Sequence, residues 1–174
     1  LNDVTIEHLI HHRGGWDRST DVGDPLFQPF RVAKPFGLNH APSPQQIAQY
    51  MLSQPLQFDP GSKTVYSNFG YLLLGLVIEQ VSGQTFEQYV QQRVMKPMDI
   101  TDIHQARTQL DDRRESEIWY SDPHKGRSVL NFNDEQAMPF AYGGFSVEAQ
   151  FANGGLIARA RDVARFMEDY DVWG

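Results

Sequence analysis

Tyr66, Ser67 and Asn68 stand together where a short run, Thr64-Val65-Tyr66, meets a long apolar one. The short run reads as extended, and Ser67 or Asn68 is suited to cap the helix that follows. Backbone N–H groups and the positive dipole end at a helix start favour a tyrosinate over the free phenol. An asparagine two residues on can turn its amide toward the same cavity. The structural alternative is that Ser67 caps, Asn68 turns and Tyr66 packs, and spacing alone leaves both open.

Other candidates are weaker. His8, His11 and His12 lie close together, and on a helix His8 and His12 would share a face able to hold a metal. No glutamate follows His8 in the H-E-x-x-H manner and no third ligand is evident, so no metal or other cofactor is assigned. Asp111-Asp112 and Asp134-Glu135 fall in polar stretches and read as solvated surface. Gly144-Phe145-Ser146-Val147-Glu148 is one glycine short of a nucleophile elbow. Gly143-Gly144 and Gly154-Gly155 lack the Lys-Ser or Lys-Thr of a phosphate loop. The chain has no cysteine, which removes disulfides, thiolate catalysis and cysteine zinc sites.

The elements that must carry these residues read mostly as helices. Residues 5–12 place Ile6, Leu9 and Ile10 on one face. Residues 16–41, rich in Pro, Gly and Asp, read as a long ordered loop. Ser43-Pro44-Gln45-Gln46 is a capping box with proline at the first helical position. Residues 69–81 are apolar nearly all round, which predicts a central helix buried on most sides, ended by Gly83. Thr85, with Gln88 three residues on, starts another. Residues 99–133 are polar and weakly periodic, with Ile118-Trp119-Tyr120 as a candidate strand, and 139–152 read as strand or loop. Residues 161–170 form a last amphipathic helix with Val163, Phe166, Met167 and Tyr170 inward.

Hydrophobic residues make up 40% of the 174 and charged residues 21%, enough apolar material for a single core. The net charge of −7, with no basic run, argues against a nucleic-acid or anionic-membrane partner. No apolar run reaches membrane-spanning length. The chain opens at Leu1-Asn2-Asp3 without methionine and closes at Val172-Trp173-Gly174, so both ends are expected to be cuts within a longer parent.

Three segments in order resemble the β-lactamase-related serine hydrolases, which include class C β-lactamases, D-alanyl-D-alanine carboxypeptidases and esterases. The main one runs from Phe58-x-Pro60-Gly61 through Val65-Tyr66-Ser67-Asn68-Phe69-Gly70-Tyr71-x-Leu73-Leu74-Gly75 to Ile78-Glu79-x-Val81-Ser82-Gly83. It extends to Lys96-Pro97-Met98, where Asp99 departs from the family's Pro-Leu-Gly-Met. Val4-Thr5-Ile6-x-His8-Leu9-Ile10-x-His12 resembles the segment that normally ends His-Thr-Ser-Gly, here His12-Arg13-Gly14-Gly15. Gly154-Gly155-Leu156 through Arg161-Asp162-Val163-Ala164-Arg165-Phe166 resembles a later segment, with Ala158-Arg159 in place of Ser-Thr.

The resemblance implies a serine, in a Ser-x-x-Lys motif, that forms an acyl-enzyme. It implies proton transfer by Tyr66, substrate orientation by Asn68, and Gly154 and Gly155 beside the acyl pocket. No Ser-x-x-Lys occurs in the chain; His12-Arg13-Gly14 and His124-Lys125-Gly126 fit the family's His-x-Gly by letter but precede its place. The expected fold is therefore mainly α: residues 1–174 as one helical subdomain of the β-lactamase/transpeptidase-like fold, lacking most of the α/β sheet, with short strands at most. Its parent would act on a β-lactam, a D-Ala-D-Ala peptide or an ester, while the isolated chain is expected to be inactive. Gly154, where class C β-lactamases carry an aromatic, favours a peptidase or esterase. The alternative is a non-catalytic binding module of the same family. Peptidoglycan-type peptides are the implied partners, export is common in the family, and an apolar face stripped of its sheet would favour a homodimer.

Overall fold

The computed structural model describes residues 3–170. The chain-end expectation at Leu1-Asn2 and at 172–174 lies outside the described residues. Helix α1 (Ile6–Ile10) is capped reciprocally: the Thr5 hydroxyl accepts the His8 N–H, and His8 Nδ1 accepts the Thr5 N–H. Residues 16–41 are not a plain loop. They hold α2 (Pro29–Ala33) between two 3₁₀ turns, Pro25–Phe27 and Lys34–Phe36. Their prolines sit in first turns, where a missing N–H goes unmissed, and each piece is too short to show a period.

Helix α3 (Pro44–Leu52) begins at the capping box: Ser43 Oγ accepts the Gln46 N–H and Gln46 Oε1 accepts the Ser43 N–H. Such a cap is worth about 1 kcal/mol. Helix α4 (Asn68–Ser82) is the longest element; Ser67 caps it, and Gly83, in a left-handed conformation, ends it. Phe69, Leu72, Ile47, Met51, Leu9, Leu26, Val32 and Trp16 close into the larger core around its first turns. Full burial of Phe69 and Leu72 stabilises the fold by about 2–3 kcal/mol each.

Helix α5 (Phe86–Tyr89), capped by Thr85 and Gln88, widens into a π turn over Val90–Met95. Strands β1 (Ile103–Gln105), β2 (Lys125–Arg127) and β3 (Ala137–Pro139) precede helix α6 (Phe151–Gly154), strand β4 (Leu156–Ala158) and helix α7 (Ala160–Asp169). A second core cluster joins Phe86, Val90, Met95, Met98, Ile100 and Ile103, and Phe151 packs against both clusters.

The expected class, a mainly α helical subdomain, is corrected. The strands form two antiparallel ladders, β1 with β4 (Ile103 opposite Ala158, Gln105 opposite Leu156) and β2 with β3 (Lys125 opposite Pro139, Arg127 opposite Ala137). Most of the other helical pieces are 3₁₀ or π turns rather than bundle helices. At three residues each, the strands are too short to show alternation, so residues 99–133 betray none of them. Ile118-Trp119-Tyr120 forms no strand. Two packing expectations also change. Helix α4 is buried along Phe69, Leu72 and Gly75, but Val77 and Val81 face outward. Helix α7 turns Val163, Met167 and Tyr170, which are 47%, 43% and 48% exposed, to the outside.

Gly75 sets the distance between α4 and α6. A β-carbon there would run into Ala152 Cβ and stand 2.6 Å from Phe151 Cε1. Gly75→Ala is expected to lower stability by about 1–3 kcal/mol by overpacking, although alanine is the better helix former. Urea denaturation checks this; an unchanged midpoint would refute the close approach.

Candidate active site

The site is assembled from the end of α1 upward. His12 adopts a left-handed backbone conformation (φ 54°) and turns the chain back on itself. Its carbonyl then accepts the Val65 N–H at 2.8 Å, and the Arg13 carbonyl accepts the Gly61 N–H at 2.8 Å. The Arg13 guanidinium also donates to the Gly61 carbonyl. The segment leading to Tyr66 is thus tethered to α1 by backbone bonds, without a regular strand.

The His12 ring completes the tether. Its Nδ1 accepts the Ser67 N–H at 3.2 Å, and the ring lies between Tyr66 and Tyr71, with centroids at 4.6 and 5.0 Å. Tyr71 Oη donates to the Ile10 carbonyl at 3.2 Å. Helix α1 ends at Ile10, so His8 and His12 never share a helical face as a metal pair would need. No group of three or more metal-ligating side chains is present among the described residues.

Ser67 spends its hydroxyl on the cap, accepting the Gly70 N–H at 3.2 Å. Asn68 is therefore the first helical residue, with its side chain free of capping duty. It is 8% exposed, and its Nδ2 donates to Asp24 Oδ2 at 2.7 Å. Tyr66 does not pack inward: it is 51% exposed, with the Arg18 guanidinium 4.7 Å from its ring centre. Arg18, Asp24, Ser67, Asn68 and the buried Trp16 line one small cavity of about 10 Å³. The phenol and the carboxamide thus flank Ser67 at one helix start, the phenol outside and the carboxamide inside.

Gly154 and Gly155 lie elsewhere, where α6 passes into β4. The Gly75 region of α4 packs on α6 at Phe151 and Ala152, about 10 Å along the helix axis from Asn68 at 1.5 Å per residue. The Gly155 carbonyl accepts the Ala106 N–H and the Gln105 side-chain N–H, both at 2.8 Å. A β-carbon at Gly155 would meet Gln105 Nε2 and the Phe151 backbone. Beside Gly154 the corresponding space is open. His124-Lys125-Gly126 enters β2, with His124 paired to Asp122.

Sequence reasoning missed Asp24, Arg18 and the structural work of His12. Asp24 before Pro25 is legible as a turn cap, but nothing in the sequence announces its reach to Asn68.

A family model described as Beta-lactamase matches residues 1–172. The chain belongs to the β-lactamase family. It is 33% identical over 100 residues to an Escherichia coli K12 protein carrying the provisional name D-alanyl-D-alanine carboxypeptidase; the match covers 58% of this chain and 21% of that protein. Among solved structures, it resembles a D-stereospecific amidohydrolase from Streptomyces sp. (TM-score 0.62, 23% identity, 94% of this chain and 45% of that one). It also resembles a penicillin-binding protein from Bacillus halodurans (TM-score 0.62, 22% identity, 95% and 47%). These likenesses show a β-lactamase-like fold, and the chain spans less than half the length of these solved relatives.

Burial pushes the His12 imidazole below the ordinary value of 6.5. Its Nδ1 is already taken as an acceptor. The unfolded chain therefore binds the proton more readily. The stability that neutral His12 contributes is fully present above about pH 6.5 and is lost as pH falls through that value toward the lower folded one. NMR titration of the His12 ring should give a midpoint below 6.5, and the melting temperature should fall more steeply on acidification than in His12→Gln. A midpoint at or above 6.5 would sink this account.

Proposed function

We propose that the chain is the lobe of a serine hydrolase in which Tyr66 moves the proton and Asn68 orients the acyl substrate. The substrate class best supported is a D-amino-acid peptide or amide of the D-Ala-D-Ala kind. One observation carries the proposal: the Tyr66 phenol and the fixed Asn68 carboxamide stand on either side of Ser67 at the start of a buried helix. The surrounding stretch falls within the family match, and the relative matched at 33% identity bears a carboxypeptidase name.

The chemistry in such a site is acyl transfer. A serine hydroxyl, supplied from outside this chain, attacks the substrate carbonyl; its proton passes through Tyr66 to the leaving amine as the C–N bond breaks. Water then attacks the ester, gives its proton back to the serine oxygen, and releases the acid. Tyr66 suits the proton's path because its phenol reaches solvent while its ring is held by His12 and Arg18. Asn68 suits orientation because its first turn is capped and its side chain is anchored.

By itself the 174-residue chain, which contains no Ser-x-x-Lys, is expected to release no D-alanine from a D-alanyl-D-alanine peptide and to leave a chromogenic β-lactam intact. Turnover by the chain that disappears in Tyr66→Phe would overturn the assignment of the nucleophile elsewhere. In a longer protein that supplies the serine and lysine, Tyr66→Phe should lower kcat roughly 10²–10⁴-fold with little change in KM.

Association is the second expectation. Val163 and Met167 on α7, with Tyr170 just past its end, form an uncovered stripe. Light scattering on the chain should show dimers or larger species that a Val163→Glu, Met167→Glu variant dissolves; a monomer at every concentration would count against it.

A further inference from the structure

The residue that holds Asn68 comes from a turn 44 positions earlier in the chain. We infer that Asp24 is a positioning residue of the proposed active site, its carboxylate fixing which end of the Asn68 carboxamide faces the substrate; this rests on the orienting role proposed for Asn68.

A carboxamide has two ends of nearly equal shape and opposite polarity, one donating and one accepting. Rotation about its last bond is soft, so an unrestrained asparagine presents either end. A carboxylate only accepts. With Asp24 Oδ2 at 2.7 Å from Asn68 Nδ2, one orientation makes a charge-assisted bond and the flipped one sets two acceptors against each other. Chemistry alone therefore decides the direction of this amide.

The carboxylate is itself held. Asp24 Oδ1 accepts the Leu26 N–H at 3.1 Å, at the head of the 3₁₀ turn Pro25–Phe27, and Pro25 stiffens that turn. Leu26 is fully buried in the larger core, so the turn has little freedom to shift. On the far side, Ser67 fixes the backbone of the first helical turn. Asn68 thus hangs between two rigid supports from distant parts of the chain. Its Oδ1 has no hydrogen-bond partner among the described residues, which leaves an acceptor for a substrate N–H or a catalytic ammonium.

Two substitutions separate this role from a structural one. Serine and asparagine both keep a cap for the Leu26 N–H. Serine is too short to reach Asn68, and asparagine pairs with either end of its carboxamide. In nitrogen-resolved NMR of the chain, the Asn68 side-chain amide should exchange with solvent at least roughly ten-fold more slowly than that of exposed Asn133. Asp24→Ser should abolish that protection while leaving the backbone spectrum folded. Should that variant fail to fold, Asp24→Asn is expected to give weakened protection or two Asn68 signals. Unchanged protection and a single signal in a folded variant would overturn the inference.

Kinetics provide the second arm. In a longer protein with activity, Asp24→Ser should lower kcat/KM for a D-alanyl-D-alanine peptide roughly ten- to hundred-fold. The loss should be smaller for a simple nitrophenyl ester without an amide N–H. Equal losses on both substrates would mean general damage and overturn the positioning role. Tyr66→Phe is measured alongside: full activity there would remove the proposed function, while the NMR result would still judge whether Asp24 holds Asn68.

Discussion

The hydrogen bond from the Ser67 N–H to His12 Nδ1, together with the Ser67 cap, determines where α4 begins, and most of the molecule follows from that point. Moving the start by one residue would rotate α4 by about 100°. Phe69, Leu72 and Gly75 would leave the core together, and Asn68 would lose Asp24. Long apolar helices are tolerant of such rotation when nearly every face is hydrophobic, as it is here. The register is therefore set at the polar end, by a cap and a histidine, rather than by the apolar run.

The same polar end is what gives the site its character. Three short segments converge on it: the turn after α1, the turn before α2, and the extended lead-in to α4. None is regular enough to be rigid alone. Each is pinned by one or two bonds, His12 carbonyl to Val65, Arg13 to Gly61, Asp24 to Asn68, at the partly buried rim of the larger core. Partly buried hydrogen bonds of this kind stabilise modestly when made and cost more when one partner is removed. The arrangement is accordingly specific about geometry even where it adds little to stability.

Opposite this well-supported end, α7 and the outer half of α4 leave apolar side chains in the open. The amphipathic pattern of α7 is real, yet of the face it predicts as inward Phe166 packs against the second core cluster while Val163 and Met167 stay exposed. Periodicity reports that a face is apolar; it does not report what covers it. The two β ladders show the converse. Backbone pairing between Ile103 and Ala158 crosses more than fifty positions and leaves no trace in three-residue strands.

By itself the sequence determined the local devices: the caps at Ser43 and Thr85, a cap at Ser67 or Asn68, the stop at Gly83, and the Tyr66-Ser67-Asn68 order with its family likeness. These are short-range, because a cap or a stop is made by residues within one turn of each other. The family match confirms the likeness. What only the tertiary structure decided was the work of residues whose partners are far away in the chain. His12 looked like a metal ligand or a stray motif and is a support for Ser67. Asp24, which no motif singled out, holds Asn68. The physical reason is the same in each case: side-chain chemistry is written in the sequence, whereas which side chains meet depends on the helix register and core packing that bring distant turns together.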